Sequence, residues 1–309
     1  MEQTNRSKVF LISASNRAEG IKRLLEEFDL GSCGSIALKA NYNSDDPFPA
    51  TTHIDTLRSL VEGLESGGNF KITLAERSGM GVTGKVLKNR GVYDLSERLG
   101  FEVVDLDLVG AGDWKDIQHI PPDGLHWKHG FKISRIFVES DKVVQTCCLK
   151  THRFGGHFTM SLKNSVGLVA ARPEGSSYDY MRELHTSPFQ RFMIAEINEF
   201  YQTDLVLMDA AMGLVTDGPE KGKLVSPNLL IASMDRVAVD AVGVALLRHY
   251  GSTPEVMNGR IFDQEQISRA ATLGVGVKSA DKIDLVPLDD ESRNMCETIQ
   301  KCSICRGKH

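Results

Sequence analysis

The sequence predicts an α/β fold, a mainly parallel sheet with helices on both faces, and three observations predict it. Short β-branched and apolar runs recur along the chain, helical periodicity fills many of the gaps between them, and no internal repeat or low-complexity tract interrupts the alternation. Runs at 8–15, 35–41, 70–76, 101–107, 135–140, 142–150, 204–210, 228–234 and 282–288 read as strands. Residues 53–66 place Ile54, Leu57, Val61 and Leu64 on one helical face, with Thr52 as the N-cap. Residues 189–202 and 235–250 are equally periodic, and Asp235 caps the second. Residues 158–169 read as a helix burying Phe158, Leu162, Val166 and Val169. Two polar, turn-rich stretches, 111–130 and 172–188, read as loop insertions of the kind that cover a site beyond the strand C-termini.

The chain of 309 residues is long enough for a sizeable core, and its 41% apolar and 25% charged residues are an ordinary globular balance. A net charge of −5 weighs against nucleic acid as the partner. The apolar stretch VFLI near the start is too short for a signal peptide, and no apolar run is long enough to span a bilayer, so the expectation is a cytoplasmic protein without a membrane partner. Oligomeric state is left open. Six cysteines in a chain of this length do not make a disulfide framework. One α/β domain is expected over 1–289, followed by a cysteine-containing tail over 290–309.

The stretch TCCLKTHRFGGHFTMSLKNSVGLV, residues 146–169, concentrates donors and bases around one strand-to-helix turn. Lys150 and His152, two apart, point to the same side where their strand ends. Gly155 and Gly156 permit close backbone approach, and Lys163 and Asn164 follow on the predicted helix. A helix N-terminus beside two lysines and a histidine suits an anion such as a carboxylate or phosphate. His152 and His157 are the residues here that move protons or bind metal. A surface lysine pair with capping histidines is the competing reading.

A second glycine turn, AERSGMGVTGK at 75–85, spells G-x-G-x-x-G through Gly79, Gly81 and Gly84, with Asp105 where a ribose-binding acid would stand. Glu76, Arg77 and Ser78 separate the strand from the first glycine, and a carboxylate at Glu76 opposes a pyrophosphate, so a Gly-rich loop lining a pocket is preferred to dinucleotide binding. A third turn, 37–53, carries Lys39 and Asn41 at a strand end and His53 at a helix start. Asp209 ends another strand. The tail spells C-x5-C-x2-C through Cys296, Cys302 and Cys305. Four-thiolate or tetrahedral metal sites need a fourth ligand, which His309, Cys147 or Cys148 would have to supply.

LKTH (149–152) with LKN (162–164) and Gly167, LKANYN (38–43), ATTH (50–53), VLMDA (206–210), DGP (217–219) and ASMDRVAVDAVG (232–243) together resemble the family of domain of unknown function 362, over about residues 35–275. The resemblance implies a fold more than an activity. Some members carry appended ferredoxin-like cluster domains, of which the cysteine tail is the one trace here. HRFGGHFTMSLKN (152–164) is also similar, more distantly, to a histidine- and glycine-containing segment of the nickel-pincer lactate racemase group, which keeps a metal-dependent enzyme open.

The leading expectation is an enzyme for a small anionic ligand. Lys150 and Lys163 neutralise charge, and His152 is an acid/base or a metal ligand. Lys39, Asn41, His53, Gly79, Gly155, Gly156 and Asn164 contact the ligand, and Asp209 completes a metal or proton-transfer set. One alternative is a redox accessory protein binding an iron–sulfur cluster or zinc through the tail cysteines. Another is a ligand-binding protein without turnover. The cofactor is unassigned, with a metal ion and an iron–sulfur cluster as the classes in view.

Overall fold

The computed structural model describes residues 6–118 and 124–300. Among them are twelve strands: β1 (Ser7–Ser13), β2 (Cys33–Lys39), β3 (Asn69–Glu76), β4 (Glu102–Asp105), β5 (Trp114–Ile117), β6 (Phe131–Ser134), β7 (Lys142–His152), β8 (His157–Phe158), β9 (Leu205–Leu214), β10 (Leu224–Val225), β11 (Leu229–Ser233) and β12 (Ile283–Pro287). Ten form one sheet along the order β12-β1-β11-β9-β7-β2-β3-β4, with β10 attached to β9 and β8 to β7. β5 and β6 pair separately. The run β9-β7-β2-β3-β4 is parallel throughout. β11 is antiparallel to both its neighbours, which makes the sheet mixed but mainly parallel, as the strand–helix alternation predicts.

Both faces of the sheet are covered, so its strands are apolar on both sides. On β1, Val9 and Leu11 enter one core, and Phe10 and Ile12 enter another on the opposite face. The first core takes the apolar sides of helices Arg236–His249 and Glu265–Thr272. The second takes those of Arg17–Leu25, Ile54–Gly67 and Val92–Leu99. A third core gathers Trp114, Trp127, Phe131 and Phe137 with Val143 and Leu184.

Four local expectations are corrected. Residues 135–140 form a helix, Arg135–Glu139, which buries Phe137 in the third core, and that packing outweighs the strand propensity of Ile136 and Val138. Helix Ile54–Gly67 is capped by His53, whose Nδ1 accepts the Asp55 N–H at 3.1 Å, while Thr52 pairs with Thr146 across the interior. The predicted helix over 158–169 shrinks to Ser161–Asn164 followed by a 3₁₀ turn, Ser165–Leu168. The Leu162 carbonyl accepts from Ser165 Oγ at 2.6 Å and Asn198 Nδ2 at 3.0 Å, bonds that displace continuation of the helical ladder. The start of the tail is a helix, Asp290–Ile299, capped by Asp289 and packed on β1 and β12, with Cys296 and Ile299 in the first core.

The two expected insertions are also partly ordered. β5 lies within 111–130, and helix Tyr180–Thr186, capped by Asp179 at 2.8 Å from the Arg182 N–H, lies within 172–188.

Candidate functional site

Three neighbouring parallel strands end at one edge of the sheet, where open α/β sheets hold their ligands. Lys39 closes β2, Glu76 closes β3, and Lys150 and His152 lie at the end of β7. Ser161–Asn164 and its 3₁₀ turn bring Lys163, Asn164 and Gly167 to the same edge, and Tyr180–Thr186 with the segment before it brings Arg172, Asp179, Arg182 and His185. These residues line a cavity of about 710 Å³. Its wall carries six lysines and arginines (Lys39, Arg77, Lys150, Lys163, Arg172 and Arg182) against three acids (Glu76, Asp107 and Asp179). The cavity is thus a cationic recess in a chain of net negative charge.

The cations differ in what they have left to offer. Lys39, almost fully buried, donates to Glu76 Oε1 at 2.5 Å, to the Ala40 carbonyl at 2.6 Å and to Asn164 Oδ1 at 3.2 Å, which occupies all three of its N–H groups. Its expected role as a ligand contact gives way to that of counter-ion to a buried carboxylate. Glu76 also accepts the N–H groups of Tyr42 and Arg77. Gly167 packs against this pair: a Cβ there would stand 2.7 Å from Lys39 Cε and would push the lysine off its present bonds. Arg77 donates through Nε to the Val169 carbonyl and through Nη2 to the Val166 carbonyl, both at 2.9 Å, while Nη1 has no acceptor among the described residues. Lys150 donates to the Ala50 carbonyl and keeps two N–H groups. Lys163 has neither a hydrogen-bond acceptor nor a paired carboxylate among the described residues. Burial, reinforced by Lys150 and Arg77, lowers its pKa to about 8.

His152 is buried, and its Nδ1 accepts the Gly156 N–H at 3.1 Å. Burial first, then Lys163 and Lys150, hold its pKa far below the usual imidazole range. The ring is therefore neutral, with its proton on Nε2, and acts as a hydrogen-bond donor. A metal-ligand role would need the opposite tautomer or loss of the Gly156 bond, and the surrounding lysines oppose a cation. Gly156 permits this packing: a Cβ would meet His152 Nδ1 at 2.7 Å and Lys163 Cε at 3.3 Å.

The turn itself is not the anion site. The Ser161 and Leu162 N–H groups are taken by Asp240, at 2.8 and 3.1 Å, and Ser161 Oγ donates to the same carboxylate at 2.5 Å. Asp240, a carboxyl whose pKa burial raises to about 7, takes these donors itself and so fixes the segment that presents Lys163.

Asn41, Gly79 and Asn164 line the cavity alongside the lysines and His152. Asn41 Nδ2 is engaged with the Ala50 carbonyl at 3.3 Å, and the Gly79 N–H with Asn43 Oδ1 at 3.0 Å. Four expected contacts lie off the cavity wall, among them Gly156, whose N–H is given to His152. Asp209 sits on the opposite side of β9 from Met208, toward helices Arg17–Leu25 and Ile54–Gly67, where it accepts from Arg17 at 2.9 Å and Thr56 at 2.5 Å. His53 lies at its helix start in a groove with Phe48 and Arg90. Gly155 turns with φ +85° against Gln190, off the cavity wall. Cys296 faces the core, where burial pushes its thiol up to about 11, an environment that disfavours the thiolate a metal needs. Cys302 and Cys305 lie outside the described residues. Among the described residues no group of three or more His, Cys, Asp or Glu side chains could hold a metal.

Arg77, Arg172, Asp179, Arg182 and His185 went unrecognised in the sequence. Arg77 stood at a strand end beside Glu76, a position with the same signal as Lys39. The others lie in the segment read as a covering loop, but nothing in its pattern indicates which residues turn inward.

No curated protein matches the sequence. A solved structure of the lactate racemase apoprotein from Thermoanaerobacterium thermosaccharolyticum aligns over 97% of this chain and 92% of that chain, at 15% identity and a TM-score of 0.42. No residue role is carried over at that similarity. The model of the family described as Domain of unknown function (DUF362) matches residues 36–245, two thirds of the chain, and the chain belongs to that family.

Proposed function

We propose that the protein is an enzyme that binds a small carboxylate- or phosphate-bearing molecule in the cavity at the ends of β2, β3 and β7. The observation that carries this reading is the excess of cations on a recessed wall where Lys163 has no counter-charge among the described residues. An anion seated there would accept from Lys163, from Arg77 Nη1 and from the remaining N–H groups of Lys150, with His152 Nε2–H as a neutral donor. The lowered pKa of Lys163 favours turnover over simple binding, since strongly perturbed groups in clefts mark reactive sites. The four cysteines among the described residues form no disulfide, which suits a reducing compartment such as the cytoplasm.

The test is thermal stabilisation by inorganic phosphate and by oxalate. At about a hundred times the dissociation constant either ligand should add about 2.7 kcal/mol to the stability. Lys163→Met should weaken the binding about ten- to a hundredfold, as loss of a charge-assisted hydrogen bond does. Equal stabilisation of wild type and variant would exclude Lys163 from the site, and no stabilisation by either anion would exclude the reading itself.

A further inference from the structure

Lys163 differs from its neighbours in a way that bears on chemistry as well as on binding. Lys39 is tied to Glu76 and Lys150 to a carbonyl, whereas Lys163 projects into the cavity with its nitrogen unengaged among the described residues. Its stem and the His152 ring flank the same glycine, Gly156. The nearby charges that act on it, Lys150 and Arg77, are both positive. A lysine desolvated beside other cations is one of the ways proteins make an amine nucleophilic. The wall thus combines an amine, a neutral donor and two cations with free N–H groups.

We propose that Lys163 is a nucleophilic amine that condenses with the carbonyl group of a 2-oxo carboxylate bound in this cavity. This rests on the anion-binding reading of the same site and names its substrate class. Arg77 Nη1 and Lys150 take the carboxylate, and His152 Nε2–H donates to the carbonyl oxygen. The neutral amine adds to the carbonyl carbon: a C–N bond forms and the C=O π pair moves to oxygen. Two protons leave the nitrogen over the addition and dehydration steps, and the oxygen departs as water. The product is an imine between Lys163 and the substrate carbon, with no change in oxidation state and no co-reactant. Burial lowers the pKa of Lys39 and Lys150 as well, but the Lys39 nitrogen is held by Glu76, the Ala40 carbonyl and Asn164, and that of Lys150 by the Ala50 carbonyl, so Lys163 is the one of the three whose nitrogen has no acceptor among the described residues.

The experiment traps that imine. The full chain is incubated with pyruvate and sodium cyanoborohydride, and the lysines are mapped by peptide mass spectrometry. Lys163 is expected to carry one carboxyethyl group before the exposed lysines do, with a labelling rate that climbs as pH passes about 8, where its free amine becomes abundant. Inorganic phosphate should slow the labelling by competing for Arg77 and Lys150. Lys163→Arg, which keeps the charge but offers no neutral amine, should lose the adduct while melting as the wild type does. Lys163→Met serves as the second variant if the arginine does not fit. Labelling that reaches exposed lysines as fast as Lys163 would overturn the proposal, as would the absence of an adduct with each of pyruvate, glyoxylate and 2-oxoglutarate. Should phosphate still stabilise the protein in that event, only the amine chemistry fails. Should phosphate neither stabilise it nor slow trapping, the anion-binding reading fails as well.

Discussion

At the scale of single residues, the cavity opposes the stability of its own wall. Lys163 is charged below its pKa of about 8, with no partner among the described residues to offset its desolvation. A base whose pKa is lower when folded than when unfolded penalises the folded state at every pH below the folded value. Between about 8 and the ordinary 10.5 the unfolded chain holds more protons, so stability rises with pH and the penalty fades. Lys163→Met, close in length and without charge, should therefore stabilise the unliganded protein at pH 7, by on the order of 1–3 kcal/mol. The advantage should shrink as pH climbs from 8 to 10.5. Urea unfolding of both proteins across that range checks it. An equal or lower stability of the variant at pH 7 would show that Lys163 is compensated after all.

At the scale of elements, two short segments depend on contacts far away in sequence. Ser161–Asn164 is only four residues long, and its first N–H groups are satisfied by Asp240 on helix Arg236–His249. Asp240→Ala would leave buried donors unpaired, each costing about 1–3 kcal/mol, and would release the turn that aims Lys163. Lower stability accompanied by a weakened phosphate response is the expected pair of results. A stability loss with phosphate binding intact would separate Asp240 from the site. Helix Asp290–Ile299 is built into the core in the same way. Ile299 is fully buried in the first core, so Ile299→Ala should cost about 2–5 kcal/mol. A chain cut at Asp290 should melt well below the intact protein, and equal melting temperatures would show that this helix adds nothing to the stability of the fold.

At the scale of the molecule, charge is unevenly placed. The chain carries −5 overall, yet the cavity wall has three more basic than acidic side chains. An approaching anion meets general repulsion and a local attraction that outweighs it only near the recess. Raising ionic strength from about 0.01 M to about 1 M shortens the screening length from about 30 Å to about 3 Å. Long-range fields should be damped more than the contacts made inside the recess. Phosphate association should therefore be more salt-sensitive than its dissociation, a split that stopped-flow or relaxation kinetics can measure. A salt effect confined to dissociation would locate the decisive charges inside the site alone.

Periodicity by itself determined the architecture: alternating strands and helices left a mainly parallel sheet as the economical solution, and Lys39, Lys150, His152 and Lys163 could be placed beside strand ends because strand direction and parity follow from the pattern. Only the tertiary structure decided which of these groups is free to act. Lys39 and Lys163 look alike in sequence, yet Glu76 saturates one while the other faces two further cations. Asp209 reads in the sequence as a strand end like Lys39, but β9 runs on to Leu214, and the face on which Asp209 stands turns it toward Arg17 and Thr56. The helix read over 158–169 broke up because Asn198 and Asp240, far along the chain, supply hydrogen bonds that local propensity cannot anticipate. Counter-charge and hydrogen-bond saturation are properties of neighbours in space, and only the folded chain brings those neighbours together.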